Sequence, residues 1–150
     1  MGAISQKSLV VLIARLVLAG VFVMAALPKT QDPGAFATSV AAFRVIGPGL
    51  SGWVALLLPW LELIIGLGIL IPAIRRTSCA LIGLLLLLFI ALHTSAWVRG
   101  LDINCGCFGA ETGEVSTDYR WLLLRNGLLL AATVLVLRQD RRNNHSALRS

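Results

Sequence analysis

Charge is scarce in this chain. Only 13% of its 150 residues are Asp, Glu, Lys or Arg, about half the ~25% usual in soluble domains. So few charges cannot cover a water-facing surface, which excludes a soluble globular fold. Alternation of period two is also lacking, which excludes a membrane barrel. There is no internal repeat and no low-complexity tract. The start, Met1-Gly2-Ala3-Ile4-Ser5-Gln6, misses the myristoylation pattern, which wants Ser or Thr where Gln6 stands. No A-x-A cleavage site precedes Pro28, and Arg15 interrupts an apolar stretch too long for a signal peptide, so that stretch reads as a retained helix.

What the chain does have is hydrophobic length, at 57% of residues. Four runs approach the ~20 residues needed to cross a bilayer core: Leu9 to Leu27, Trp53 to Ile71, Cys79 to Val98, and Trp121 to Leu137. In lipid every backbone group must pair internally, so the runs are helices. They use up most of residues 1–150, leaving room for one membrane domain and a basic tail over 138–150. The fold class is all-α, an integral membrane four-helix bundle. Lys7, Arg75, Arg76 and the arginines of the tail fall on one side of such a chain. The positive-inside rule makes that side, with both termini, cytoplasmic. Trp53, Trp97 and Trp121 then mark the outer interface, while Trp60, two turns deeper, is expected to face the bundle. Between the first two runs, Phe36, Val40 and Phe43 recur at helical spacing and predict a short amphipathic helix in the interface. The net charge of +6 is concentrated at helix ends and in the tail, where topology uses it. The expected surroundings are membrane lipid, with no nucleic-acid partner.

Charged residues inside a span each cost about 2.5–3.5 kcal/mol on insertion scales and need an account. Arg15 lies about 9 Å and Glu62 about 13 Å from the cytoplasmic ends of their runs, so the expectation is an Arg15–Glu62 ion pair. Its rival is Arg15 snorkelling to the headgroups beside a protonated Glu62. A second polar layer falls about 6–8 Å below the outer interface. It comprises His93, Arg125 and Asn126, with Lys29 just beyond the end of the first run. Each of these alone is explained as a satisfied or snorkelling side chain. Their common depth suggests a polar pocket.

Asp102-Ile103-Asn104-Cys105-Gly106-Cys107-Phe108-Gly109 precedes the fourth run. Two cysteines flank one glycine on the side assigned to the outside, an oxidising compartment. A Cys-x-Cys disulfide closes a very small ring, and strained disulfides are the labile, catalytic ones. Arg99, Lys29 or Arg125 nearby would favour a thiolate. A structural staple is the weaker reading, since bridging residues two apart constrains almost nothing. A metal site is weaker too: beyond two thiols only His93 offers a third ligand. Cys79 enters its span from the opposite side and is expected to pack as a small apolar residue.

At this point the chain resembles the DoxX-like superfamily, in its MauE branch, named for methylamine utilisation. The resemblance covers nearly the whole length. It rests on Ala14-Arg15-Leu16-Val17-Leu18-Ala19-Gly20, Pro28-Lys29, Pro59-Trp60-Leu61-Glu62-Leu63, Gly66-Leu67 and, above all, Asn104-Cys105-Gly106-Cys107-Phe108-Gly109. One departure is Leu27-Pro28-Lys29, where such proteins often carry a glycine before the lysine. The resemblance implies a four-helix membrane protein associated with thiol redox chemistry outside the cytoplasm. That branch is linked to maturation of methylamine dehydrogenase, a disulfide-rich periplasmic enzyme, beside a thioredoxin-like partner.

The expected function is thiol–disulfide exchange in the bacterial cell membrane. Cys105 and Cys107 would be the catalytic pair, and the partner a thioredoxin-like or secreted disulfide protein. A quinone or other acceptor could sit between helices, lined by Trp60, His93 and Arg125. The alternative is a non-enzymatic subunit that anchors or assembles a partner complex.

Overall fold

Each long run does form a helix, and each helix turns one narrow stripe inward. The computed structural model describes residues 6–101 and 118–147. Among them the elements are α1 (Gln6–Gln31), α2 (Pro33–Ala42), α3 (Pro48–Gly68), α4 (Arg75–Val98) and α5 (Tyr119–Ala147), with no strand. All but α2 contain a segment long and apolar enough to cross a membrane. The chain is thus a multi-pass membrane helix bundle. The short helix expected between the first two spans is α2.

The stripes follow helical spacing. In α1 the buried positions include Leu18, Phe22, Ala26 and Lys29; in α3 they include Ala55, Pro59, Glu62 and Ile65, continued by Ile69 at its C-cap. In α4 they include Ile82, Leu86, His93 and Ala96, and in α5 Leu122, Asn126, Leu129, Thr133 and Val136. Steps of three and four residues keep each set on one face. The remaining faces are apolar yet exposed, which suits lipid. The leucine run of α4 shows the split: Leu85 and Leu86 turn inward, while Leu84, Leu87 and Leu88 turn out.

The helices form a square. α1 packs against α3 and α5, and α4 packs against α5 and α3, so α1 faces α4 across the centre. The start of α1 and the end of α5 share one end of the bundle, the terminal end. The other, the loop end, carries α2, the end of α4 and the start of α5. Small residues set the spacing, as expected where lipid supplies no hydrophobic drive between helices. A Cβ on Gly66 would lie 3.0 Å from Phe22 Cβ and 3.5 Å from Ala19 O, so α1 and α3 touch there nearly backbone to backbone. Gly68 meets Ser78 with no room for a Cβ, which brings α3 and α4 together where they join.

Three caps shape the loop end. Asp32 accepts a hydrogen bond from Ala35 N at 2.8 Å and starts α2, with Pro33 in the first turn. Asp118 does the same for α5, accepting from Arg120 N at 3.1 Å. Helix α4 ends in a left-handed Gly100 (φ 61°), with Leu101 N donating to Ala96 O and Gly100 N to Trp97 O, both at 3.0 Å. This is a Schellman arrangement, which glycine permits without a Cβ penalty.

Gly66→Ala should destabilise the bundle by about 1–3 kcal/mol, because the added methyl has nowhere to go. Gly20→Ala, with nothing within 4 Å of its Cβ, should leave stability unchanged or slightly raised. Thermal unfolding of the two variants in one detergent checks the contrast.

Candidate functional site

The inward stripes carry polar residues at one level near the loop end: Lys29 on α1, Glu62 on α3, His93 on α4 and Asn126 on α5. All are buried. Lys29 Nζ donates to Glu62 Oε1 at 2.7 Å and to Oε2 at 2.8 Å. The pair is closed off from solvent, with side chains only 2% and 1% exposed. The Phe36 and Phe89 rings lie 5.1 and 5.6 Å from the ammonium and cover its other sides.

Sequence reasoning put Glu62 with Arg15, and that pairing is wrong. Arg15 Nη2 instead binds Asp140 at 2.8 Å, with Arg75 Nη1 3.6 Å from the same carboxylate oxygen. The reason is register. Ala19 lies level with Gly66, so Arg15 sits one turn toward the termini and Glu62 one turn toward the loop end. Their levels differ by about 12 Å at helical rise. The apolar run stops at Leu27, before Pro28, and so leaves Lys29 outside the span. α1 continues through Pro28 to Gln31, and that places Lys29 on the Leu18–Phe22–Ala26 stripe.

His93, Asn126 and Arg125 gather around the same point, as their common depth suggested. With Lys29, Glu62 and Phe89 they line a cavity of about 30 Å³, enough for about one or two waters. His93 Nδ1 bonds Phe89 O at 2.6 Å. A carbonyl only accepts, so the proton is on Nδ1. His93 Nε2 and Asn126 Nδ2 find no hydrogen-bond partner among the described residues. Trp60 departs from expectation: it is 60% exposed and points away from the core. It stands one helix step off the Pro59–Glu62 stripe and lines an outer groove instead. Cys79 is buried and unbridged, as a small apolar residue would be.

Cys105 and Cys107 lie outside the described residues. The two ends of their loop are described, and both are tied down. The Tyr119 hydroxyl donates to Leu101 O, and Arg99 Nη1 donates to Phe43 O at 3.0 Å. Tyr119, Ala96, Phe43 and Leu101 form a small apolar cluster beneath these bonds. Phe43 also stacks edge-on with His93, centroids 5.8 Å apart. The base of the loop is therefore joined through Phe43 to the polar cavity.

The family described as methylamine utilisation protein MauE matches residues 7–139 of this chain. The chain belongs to that family. It is similar to the methylamine utilization protein MauE of Paracoccus denitrificans, 33% identical over 82% of this chain and 65% of that protein. It is also similar to those of Methylorubrum extorquens, 36% identical over 72% of this chain and 58% of that protein, and Methylophilus methylotrophus, 32% identical over 69% and 55%. The chain thus spans less than two thirds of the MauE relatives it matches. No solved structure matches it. The MauE match takes in Lys29, Glu62, His93 and Asn126, and both ends of the cysteine loop.

Lys29→Met and Glu62→Met should each cost about 3–5 kcal/mol, because each strands the other charge in a low-dielectric site. The double variant should be far less damaging than the sum. Combining Arg15→Ala with Glu62→Met should instead be additive. Unfolding midpoints of the single and double variants in detergent give both coupling energies.

Proposed function

We propose that this MauE-family chain is a thiol–disulfide exchange protein of the bacterial cell membrane, working through Cys105 and Cys107 on the extracytoplasmic side. The observation that carries the reading is the tethering of the cysteine loop's two ends over a buried cluster of ionisable groups. The Tyr119–Leu101 and Arg99–Phe43 bonds hold the base of the loop at the end of the bundle where Lys29, His93 and Arg125 collect. Arg99 and Arg120 flank the loop. Cations beside a thiol favour its reactive thiolate. The sidedness is supported by the arginines of the terminal end, including Arg75, Arg76, Arg138 and Arg142.

In the oxidising direction, a thiolate of a reduced thioredoxin-like or secreted partner attacks one sulfur of the Cys105–Cys107 disulfide. That S–S bond breaks, a mixed disulfide forms, and the released cysteine takes up a proton. The partner's second thiol then attacks the mixed disulfide. The partner leaves oxidised, and the pair is left as two thiols holding the two electrons gained. The relatives' names point to methylamine utilisation, and a disulfide-rich enzyme of that pathway is the substrate class this reading favours.

Single variants Cys105→Ser and Cys107→Ser test the exchange, because a lone thiol cannot resolve the intermediate. In native membranes one of them should accumulate a reductant-sensitive adduct on non-reducing gels, with the partner identified by mass spectrometry, and the other much less. Both cysteines remaining free thiols, with no adduct in either variant, would replace this reading with that of an assembly subunit. An impermeant maleimide added to intact spheroplasts should label the reduced Cys105–Cys107 pair and leave Cys79 untouched. Labelling of the pair only after lysis would reverse the sidedness.

A further inference from the structure

A groove of about 810 Å³ opens on the lipid-facing side of the bundle between α3 and α4, with α2 as its roof. The two helices meet closely at Gly68 and Ser78, and toward the loop end the groove parts them. Its size falls in the upper part of the ~300–1,000 Å³ range of small-molecule sites. The walls are apolar and rich in aromatic rings, with Phe36, Trp53, Trp60 and Phe89 among them. At its inner end the groove reaches Lys29 and His93, which also line the polar cavity.

The polar end selects the occupant. Lys29 is the one charged residue among the described residues lining the groove, and Glu62 engages it through both carboxylate oxygens. No uncompensated cation therefore waits there for a phosphate headgroup. An acyl chain alone would leave His93 Nε2 unmet. That nitrogen belongs to a side chain 2% exposed and has no partner among the described residues. What fits is a flat, uncharged ring with an oxygen at its edge and an apolar tail running out to lipid. We propose that the groove binds a lipid-soluble quinone, with one of its exocyclic oxygens hydrogen-bonded to His93 Nε2. With Nδ1 holding its proton on Phe89 O, neutral His93 accepts from a quinol hydroxyl, and protonated His93 donates to a quinone carbonyl.

The quinone's role rests on the exchange reading above. The reduced Cys105–Cys107 pair loses its two S–H bonds and forms an S–S bond. Two electrons and two protons pass to the quinone, which becomes the quinol, and the pair is ready for another partner.

The test uses the full chain in phosphatidylcholine nanodiscs titrated with decylubiquinone, read by quenching of tryptophan fluorescence. With Trp97→Phe and Trp121→Phe in place, only Trp53, Trp60 and their groove report, and quenching should saturate. With Trp53→Phe and Trp60→Phe instead, the saturable component should vanish. His93→Gln should raise the half-saturation concentration at least tenfold. Leu57, 63% exposed on the groove wall, gives a variant that spares the core, and Leu57→Phe should weaken binding likewise. Quenching that only rises linearly, or is equally displaced by phosphatidylglycerol, or ignores both variants, overturns the proposal. The Cys105→Ser/Cys107→Ser double variant should still bind. Trapped adducts without quinone binding would sink this inference alone; quinone binding without trapped adducts would sink the exchange reading alone.

Discussion

The Lys29–Glu62 ion pair is the constraint around which the loop end is organised. Two opposite charges with negligible solvent contact are tolerable only when each satisfies the other, because the cost of desolvating either is several kcal/mol. The bidentate geometry meets that condition and in doing so fixes the last turn of α1 against the middle of α3. From there the arrangement propagates. The chain leaves α1 into α2, whose Phe36 closes over the ammonium, while Phe89 of α4 reaches it from across the square. One pair of side chains thereby touches elements from α1 to α4. The apolar stripes are what hold the rest of the bundle. They alone would permit sliding by a turn, since leucine faces in lipid are nearly interchangeable. A buried salt bridge does not permit that slide, and its contribution is better read as register than as net stability.

A second ionic cluster repeats this logic at the terminal end in softer form. Arg15 and Arg75 share Asp140, and Arg75 Nε also donates to Ile69 O at 3.1 Å. That ties the first, third and fourth spans to the end of α3. These side chains are partly exposed, so the interaction is more screened than the Lys29–Glu62 pair. The two clusters differ in what they leave over. The terminal one is a neutralising knot on the bundle's edge that leaves a single atom, Arg15 Nε, unmet among the described residues. The loop-end one adds His93 Nε2 and Asn126 Nδ2, both buried without a hydrogen-bond partner among the described residues, beside a water-sized cavity. Unmet buried groups are rare in folded chains, and their concentration at one level marks that level as the place where something other than the chain's own side chains is engaged.

The elements were legible in the sequence because membrane spans are set by length and apolar content, both visible in one dimension. α2 was legible too, from Phe36, Val40 and Phe43 between two Pro-Gly punctuations. What was not legible was pairing. Arg15 and Glu62 looked matched because depth was counted from the ends of apolar runs, and those ends were displaced. α1 runs beyond Pro28, and α3 begins at Pro48 rather than Trp53. Proline within a membrane helix loses one hydrogen bond without ending the helix, so a helix through Pro28 was available to the same reasoning. Stepping from Leu18 through Phe22 and Ala26 would have put Lys29 inside. Trp60 failed for a related reason: its neighbours Pro59 and Glu62 are buried, but it lies about 100° around the helix from Pro59. His93, Arg125 and Asn126 succeeded because all three were measured from run ends that the structure keeps within a few residues.

The relation between the groove and the cysteine loop follows from how α3 and α4 join. Gly68 brings them to near contact at the terminal end, so they can part only toward the loop end. α2 covers that opening from the α3 side, with Phe36 packed over the Lys29 ammonium. Phe43, just past α2, then meets His93 on one side and Arg99 on the other. The backbone that accepts from Arg99 and the ring that packs on His93 thus belong to one residue. The base of the cysteine loop and the wall of the groove are joined by a short path of packed side chains and one hydrogen bond, with Phe43 as the residue common to both.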